Sequence, residues 1–339
     1  MTKHRLIIWL RADNESSPRR RALWPAGPRG RVPPGRFSRQ PPSRPLQTAI
    51  HITTSHPARF REGARGGRGR GILSARSTIP KSETDEATLR AWLRAETDAP
   101  FAGWDFSRLD GRLHEEAPPW DYCALVTAAL SGCAALLDMG TGGGEFLVSL
   151  APLPPLTCAT EGFAPNLPVA RARLAPLGIS VHPIGEDEAG PLPFADDSFD
   201  LVINRHEYYD PTEVRRVLRP GGRFITQQVG GENDSDLNRL LAASQPDNGY
   251  TSWTLDYARE QLAAAGFTIG FAAESFPRKV FADVGALAYY LKAVQWQIPD
   301  FDVERYFPRV QEAHRRCQTE GGISSRAHYF VLVAEKPLG

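Results

Sequence analysis

An apolar, strand-like segment runs straight into a glycine-rich turn in the middle of the chain, and this feature limits the fold more than any other. Residues 134–139 are apolar except for Asp138, and residues 140–144 read Gly-Thr-Gly-Gly-Gly before a helical pattern begins. Glycines let the backbone approach a ligand closely, and a helix N-terminus offers free N–H groups at the positive end of its dipole. The segment predicts a strand, turn and helix with a ligand at the turn; a tight turn without a ligand is the alternative.

Two classes of ligand use such a turn, dinucleotides and S-adenosylmethionine. The dinucleotide fingerprint requires a third glycine where this chain has Glu145, and an acid there would face a pyrophosphate. Asp138 instead suits the cationic ammonium of a methionine. Glu161 ends the next strand pattern, where a carboxylate can accept hydrogen bonds from both hydroxyls of a ribose. Glu161 has the alternative of being a merely solvated acid at a strand end, so the spacing favours S-adenosylmethionine without deciding the matter.

The chain after residue 80 alternates between helical and strand patterns. Alternation of this kind predicts an α/β sandwich around a mostly parallel, doubly wound sheet. The hydrophobic patterns predict strands at residues 134–139, 156–160, 179–184, 199–204, 223–229, 267–273 and 328–334. They predict helices around Leu89 and Trp92 and at residues 120–130, 166–175, 210–218, 254–265 and 286–293.

The first 80 residues differ in composition from the rest. They hold 17 Lys and Arg against 3 acids, a balance of +14, whereas the remaining residues hold 23 basic against 36 acidic groups, a balance of −13. Arg, Pro, Gly and Ser dominate, and such a segment cannot bury enough apolar surface to offset its ordering entropy. We expect a disordered tail, whether functional or an over-extended translation start. A nucleic-acid-binding arm and an organellar targeting segment are the alternatives.

Cysteine usage and apolar runs restrict the class of protein further. The four cysteines (Cys123, Cys133, Cys158 and Cys317) show neither a CxxC pair nor any metal-like spacing, which favours reduced cytoplasmic thiols and no metal. The longest apolar run, residues 123–137, is shorter than the roughly 18–20 residues that a bilayer span needs. We therefore expect a cytoplasmic protein without a membrane segment.

Taken together, four blocks of sequence resemble the class I S-adenosylmethionine-dependent methyltransferases of the methyltransferase type 11 kind. The blocks are residues 136–144, Glu161, residues 193–200 (Pro-Phe-Ala-Asp-Asp-Ser-Phe-Asp) and residues 216–222 (Arg-Val-Leu-Arg-Pro-Gly-Gly). The resemblance implies a Rossmann-like sheet of seven strands with the last one antiparallel. It divides the chain into the tail (1–80), a helical N-terminal cap (81–132), a cofactor-binding core (133–275), an aromatic-rich insertion or lid (276–326) and the final strand of the core (327–339).

The resemblance also implies the cofactor, S-adenosyl-L-methionine, and the positions that bind it. Asp187 is chosen from three consecutive acids as the partner of the adenine amino group, and Asn204 ends the fourth strand beside the methionine portion. The candidate cofactor-binding residues are Asp138, Gly140, Thr141, Gly142, Gly144, Glu161, Gly162, Phe163, Asp187 and Asn204. Residues 205–210 depart from the Asn-Pro-Pro-Tyr motif, which argues against methylation of adenine N6 or of glutamine.

The candidate catalytic residues follow the fourth strand. His206 is the first candidate for a general base because its unperturbed pKa lies near 6.5, and Glu207 and Tyr208 are the other two. Hydrogen bonds that merely fix the loop are the alternative role for His206 and Glu207. The insertion at residues 276–326 contains eight aromatic residues, which either enclose a planar acceptor or pack a small core of their own.

The leading function is transfer of a methyl group to a small-molecule acceptor. The acidic remainder of the chain argues against nucleic acid as the substrate, because phosphate contacts need Lys and Arg. An RNA or protein methyltransferase that uses the basic tail is the first alternative. A nucleotide-binding protein or oxidoreductase of Rossmann type is the second. The sequence does not disclose the acceptor or the oligomeric state.

Overall fold

The computed structural model describes residues 85–101, 106–185, 190–244 and 250–338, so the predicted tail lies outside the described residues. The strands are β1 (Leu113–Glu115), β2 (Ala135–Met139), β3 (Leu156–Glu161), β4 (Ser180–Pro183), β5 (Phe199–Arg205), β6 (Leu218–Val229), β7 (Thr268–Ser275), β8 (Arg278–Phe281), β9 (Ile323–Arg326) and β10 (Tyr329–Glu335). The helices are α1 (Glu86–Asp98), α2 (Tyr122–Leu130), α3 (Glu145–Ser149), α4 (Asn166–Leu174), α5 (Pro211–Val217), α6 (Ser235–Leu241), α7 (Leu255–Ala264), α8 (Val284–Ala293) and α9 (Val303–Glu320).

Seven strands form one sheet in the order β4-β3-β2-β5-β6-β10-β7. The neighbours from β4 to β6 are parallel, and β10 runs antiparallel to both β6 and β7. The strand order therefore reverses between β2 and β5, and open α/β sheets bind ligands outside the carboxyl ends of their strands at such a reversal. This confirms the predicted doubly wound sheet with an antiparallel last strand.

The centre of the sheet is apolar on both faces. Every residue of β2 is buried, and the neighbouring strand β5 is buried at Leu201, Val202, Ile203 and Asn204. Strands covered by helices on both faces are expected to read as continuous apolar runs, because neither face meets water. Asp138 and Asn204 interrupt these runs near the carboxyl ends of the two strands, so they require a separate explanation.

A second, three-stranded antiparallel sheet in the order β1-β8-β9 was not predicted. It belongs to a core that also contains α1, α8 and α9. The insertion's aromatic side chains are mostly buried in this core: Phe281, Tyr289, Tyr290, Trp296, Tyr306 and Phe307 are buried, Phe301 packs against them, and Phe276 is exposed. These residues thus supply the apolar interior of their own layer, and a lid role for residues 276–326 stays a prediction.

Arg112 joins elements that are distant in sequence in this second core. Its guanidinium donates two hydrogen bonds to Asp283, at 2.6 and 2.9 Å, and one to Glu96 at 3.1 Å. Both carboxylates are almost completely buried, and Asp283 also caps α8 by accepting from the N–H of Ala286. A buried carboxylate that loses its partner is strongly destabilising, since its charge is no longer compensated.

We expect Arg112→Met to lower the free energy of unfolding by about 3 kcal/mol or more, because Asp283 would stay buried without its cation. The matched control is Arg305→Met, which removes an ion pair with Asp300 between exposed side chains and should cost less than about 1 kcal/mol. Urea unfolding followed by circular dichroism measures both values. Equal losses in the two variants would contradict the role assigned to Arg112.

Candidate functional site

The glycine turn lies at the carboxyl end of β2 and leads directly into α3. Gly140, Gly142 and Gly144 have φ values of 70°, 64° and 85°, in the left-handed region that favours glycine. A Cβ added at Gly142 would meet no atom within 4 Å, so the turn is open at that point. A Cβ added at Gly140 would collide with the side chain of Glu207, which packs directly on the turn.

Glu161 ties the turn to the end of β3. Its carboxylate accepts hydrogen bonds from the N–H of Gly142 and the N–H of Phe163, both at 2.7 Å. These bonds hold the carboxylate beside the turn, where the sequence analysis expects the partner of a ribose. Gly162 lies in the chain between Glu161 and Phe163, and Phe163 is half-buried.

Asp138 and Glu161 are buried, and neither is paired with a basic side chain among the residues that the structure describes. Burial raises the pKa of Asp138 from 3.8 to about 6, and the like charge of Glu161 adds to this effect. Burial also raises the pKa of Glu161, although its backbone hydrogen bonds oppose the change. Within the described residues, no Lys, Arg or His is among the groups that change the pKa of either carboxyl. Because isolated buried charges are costly, this pair favours a ligand that brings positive charge.

Asn204 sits at the centre of a buried polar cluster beside the turn. Its side-chain oxygen accepts from Gln228 at 2.7 Å and from Thr226 at 3.1 Å, and its carbonyl accepts from the hydroxyl of Tyr122 at 3.0 Å. Its Nδ2 has no hydrogen-bond partner in the described part of the chain. Buried amides are normally satisfied, so a donor left over here indicates a place for a ligand atom or a water.

The three catalytic candidates follow β5 at the same edge of the sheet. Glu207 is buried, whereas His206 and Tyr208 are half-buried. Glu207 and Tyr208 line a cavity of about 190 Å³ that opens between the ends of β4 and β5. The remaining lining residues include Met139, Ile184, Leu192, Tyr209 and Asp210. The cavity begins at the end of β2, so it adjoins the glycine turn.

The structure brings most of the predicted site residues together. Asp138, the turn glycines with Thr141, Glu161 with Gly162 and Phe163, and Asn204 all lie at the carboxyl ends of β2, β3 and β5. Asp187 lies outside the described residues, so its role stays a prediction. Gln228, which donates to Asn204, was not among the predicted site residues, although two adjacent amides at the end of β6 are a visible signal.

The part of the chain that the structure covers contains neither a cluster of metal ligands nor a membrane-spanning helix. No group of three or more His, Cys, Asp or Glu is placed to bind a metal there. None of the helices there combines the length and the apolar character that crossing a bilayer requires.

Comparison with known proteins gives one family match, at the centre of the sheet. Residues 137–226 match the family model described as a methyltransferase domain. This match confirms the resemblance to class I S-adenosylmethionine-dependent methyltransferases for the part of the chain that runs from β2 to β6. It includes the glycine turn, Glu161 and the segment after β5.

Similar curated proteins cover only part of the chain. A demethylmenaquinone methyltransferase of Roseiflexus castenholzii is 33% identical over 112 residues, which are 33% of this chain and 46% of that protein. The sterol 4-C-methyltransferase strm-1 of Caenorhabditis elegans is 31% identical over 140 residues, which are 38% of this chain and 41% of that protein. The chain thus spans less than half the length of either relative. The crystal structure of the YcgJ protein from Bacillus subtilis superimposes with a TM-score of 0.47 at 18% identity, covering 64% of this chain and 99% of that one.

The raised pKa of Asp138 predicts how stability depends on pH. Between its ordinary value of 3.8 and the folded value of about 6, the native state binds more protons than the unfolded chain. Stability contributed through this group therefore falls as the pH rises from about 4 to about 6 and levels off above that.

We expect Asp138→Asn to be more stable than the wild type at pH 7.5 by up to about 3 kcal/mol, with the difference vanishing near pH 4. Denaturant unfolding at a series of pH values measures this. Asp256→Asn, at an exposed helix position, is the control and should give a small difference that changes little with pH. A pH-independent effect of Asp138→Asn would show that its burial does not oppose ionisation.

Proposed function

We propose that this chain is an enzyme that transfers the methyl group of S-adenosyl-L-methionine to a small-molecule acceptor. The observation that carries the proposal is the pair of buried carboxylates, Asp138 and Glu161, at a glycine turn where the described residues supply no compensating cation. A cofactor with an ammonium and a sulfonium supplies the missing positive charge. A dinucleotide would instead bring a pyrophosphate toward acids, which is unfavourable.

The residues at the turn fit the cofactor part by part. Asp138 would accept hydrogen bonds from the ammonium, and Glu161 would accept from the ribose hydroxyls. The open face at Gly142 leaves room for a ligand against the backbone, and the unpartnered Nδ2 of Asn204 would donate on the methionine side. Asp187 remains the proposed partner of the adenine amino group.

In such a reaction the protein must align the acceptor with the methyl group and keep water away from both. When bound, the cofactor supplies a methyl group already activated by the positive sulfur, so no further activation is required. Alignment of the acceptor with that methyl and exclusion of water are then the main sources of rate enhancement. The cavity beside Glu207 and Tyr208 opens at the same edge as the turn and is the proposed entrance to the acceptor side.

A general base is required only for an acceptor that must lose a proton. His206, Glu207 and Tyr208 are the three candidates for that role, because all three follow β5 at the carboxyl edge of the sheet. The side chain of Glu207 packs directly on the glycine turn. This contact supports a position for Glu207 close to the proposed cofactor.

A small molecule is the proposed acceptor for two reasons. The relatives that the chain resembles are named for demethylmenaquinone and for a sterol, both small molecules. The chain after residue 80 carries 36 acidic against 23 basic residues, which disfavours a grip on nucleic-acid phosphates. A cytoplasmic location completes the proposal, since all four cysteines are free thiols, as a reducing compartment would keep them.

Calorimetry with S-adenosylmethionine tests the cofactor. We expect Asp138→Asn and Glu161→Gln each to raise the Kd by at least about tenfold, because each removes a charge-assisted hydrogen bond worth about 1.5–3 kcal/mol. The control is Glu145→Gln, in the same turn region, whose exposed carboxylate pairs with Arg173; its Kd should stay within about twofold. Binding of NAD without binding of S-adenosylmethionine would overturn the proposal.

Deletion of residues 1–80 tests the acceptor class. We expect the shortened chain to label the same small molecules in a metabolite extract supplied with labelled S-adenosylmethionine, at an unchanged rate and with unchanged salt dependence. An RNA methyltransferase would instead lose affinity for RNA and show a smaller salt slope, because the deletion removes 17 basic residues. Labelling of RNA by the full chain, lost on deletion, would contradict the small-molecule assignment.

A further inference from the structure

His206 is held in place by its backbone, its ring face and its ring edge. Its φ of 63° is in the left-handed region, and its N–H donates to the carbonyl of Gln227 at 2.8 Å. Its imidazole lies parallel to the ring of Tyr329, with an angle of 5° and a centroid distance of 5.8 Å. Its Nε2 lies 3.2 Å from the side-chain nitrogen of Gln227. The position of the ring is therefore set by β6 and β10, not by the loop alone.

The orientation of the Gln227 amide follows from Trp120. The indole N–H of Trp120 lies 2.8 Å from Oε1 of Gln227, and an indole nitrogen can only donate. The oxygen of the amide must therefore face Trp120. The opposite orientation would set the amide NH₂ against the indole N–H, leaving two donors face to face on a buried side chain, and a buried bond left unmade costs about 1–3 kcal/mol.

The amide orientation in turn fixes the chemistry of the imidazole. With its oxygen toward Trp120, Gln227 presents its NH₂ to Nε2 of His206, and an amide nitrogen cannot accept a hydrogen bond. Nε2 must then act as the acceptor and carry no hydrogen. A neutral imidazole keeps one hydrogen, so that hydrogen is on Nδ1. Protonation of Nε2 would place two donors 3.2 Å apart.

We propose that Trp120 and Gln227 are positioning residues that hold His206 as a neutral imidazole with its hydrogen on Nδ1. Nε2 is thereby closed to the proton of an acceptor, and His206 is not the base in the reaction. Where an acceptor must lose a proton, that role falls to Glu207 or Tyr208. This catalytic consequence rests on the proposed transferase activity, whereas the tautomer does not.

Charged and titratable groups lie near the ring on three sides. Tyr329, which stacks on the ring, donates its hydroxyl to Glu115 at 2.7 Å, and that carboxylate also pairs with Lys279. Arg205 precedes His206 in the chain, and the buried carboxyl of Glu207 follows it. The tautomer is assigned from the direct contact of Nε2 with Gln227.

Nitrogen NMR of the full chain labelled with ¹⁵N-histidine tests the proposal without any acceptor. Long-range ¹H–¹⁵N spectra at pH 7 should show His206 with an unprotonated Nε2 and a protonated Nδ1, assigned by the loss of these signals in His206→Asn, a residue that tolerates positive φ. A wild-type ring with its hydrogen on Nε2, or with both nitrogens protonated, would overturn the proposal.

Two variants test the roles of the positioning residues. Gln227→Glu keeps an acceptor for Trp120 but offers His206 a carboxylate, so the hydrogen should move to Nε2 and the midpoint of the ring's titration should rise by about one pH unit or more. Trp120→Phe releases the amide and should give a mixture of tautomers. His114, exposed on β1, is the internal control and should titrate unchanged. An unaltered His206 spectrum in both variants would refute the role of the pair.

Calorimetry on the same variants separates this inference from the proposed function. Gln227 is on β6 and has no contact with the glycine turn among its hydrogen bonds, so Gln227→Glu should bind S-adenosylmethionine with a Kd within about threefold of the wild type. If neither the wild type nor any variant bound S-adenosylmethionine, the proposed function would be wrong. The NMR spectra would still decide the tautomer of His206.

Discussion

The site depends on two carboxylates that folding buries with no cation beside them in the described part of the chain. Asp138 is the penultimate residue of β2, and Glu161 ends the neighbouring strand β3 and accepts from two backbone N–H groups, one of them in the glycine turn. Their raised pKa values mean that the fold bears a cost to keep charge there. Residues that weaken stability in this way are expected at functional sites, where a ligand restores the balance. The glycine turn is open at Gly142, and Nδ2 of Asn204 has no hydrogen-bond partner among the described residues. Both features leave a place for a ligand at this edge of the sheet.

The topology of the sheet explains why these groups meet. Strands β2, β3 and β5 are parallel neighbours, so their carboxyl ends share one edge. The strand order reverses between β2 and β5, which separates the loops that follow them and leaves a crevice. Each of the three strands contributes a polar residue at its end, and the glycine turn fills the remaining position. A parallel sheet thus converts three separate positions in the sequence into one site.

Much of this was predictable because it is local or periodic. The long apolar runs of β2 and β5 and the turn at residues 140–144 are visible in the sequence, and they place Asp138, Glu161 and Asn204 at strand ends. The small sheet was missed since β1 has three residues and β8 and β9 have four each, too few to show a period. The bond between Trp120 and Gln227 joins residues 107 apart in sequence, and no local pattern indicates such a pair. The role of base predicted for His206 rested on its position after the fourth strand and on its intrinsic pKa, whereas the amide beside it decides which nitrogen holds the hydrogen.

The neutral imidazole and the uncompensated acids are consistent with one electrostatic design. His206 immediately precedes Glu207, whose side chain packs on Gly140, so an imidazolium there would bring positive charge to the edge of the turn. Such a charge would partly neutralise the field of the acids and repel a cationic cofactor. Because the amide nitrogen of Gln227 donates to Nε2 and cannot accept, a second hydrogen on Nε2 would face a donor. The amide therefore preserves the negative character of the pocket, and the positive charge that the acids need must come from the ligand.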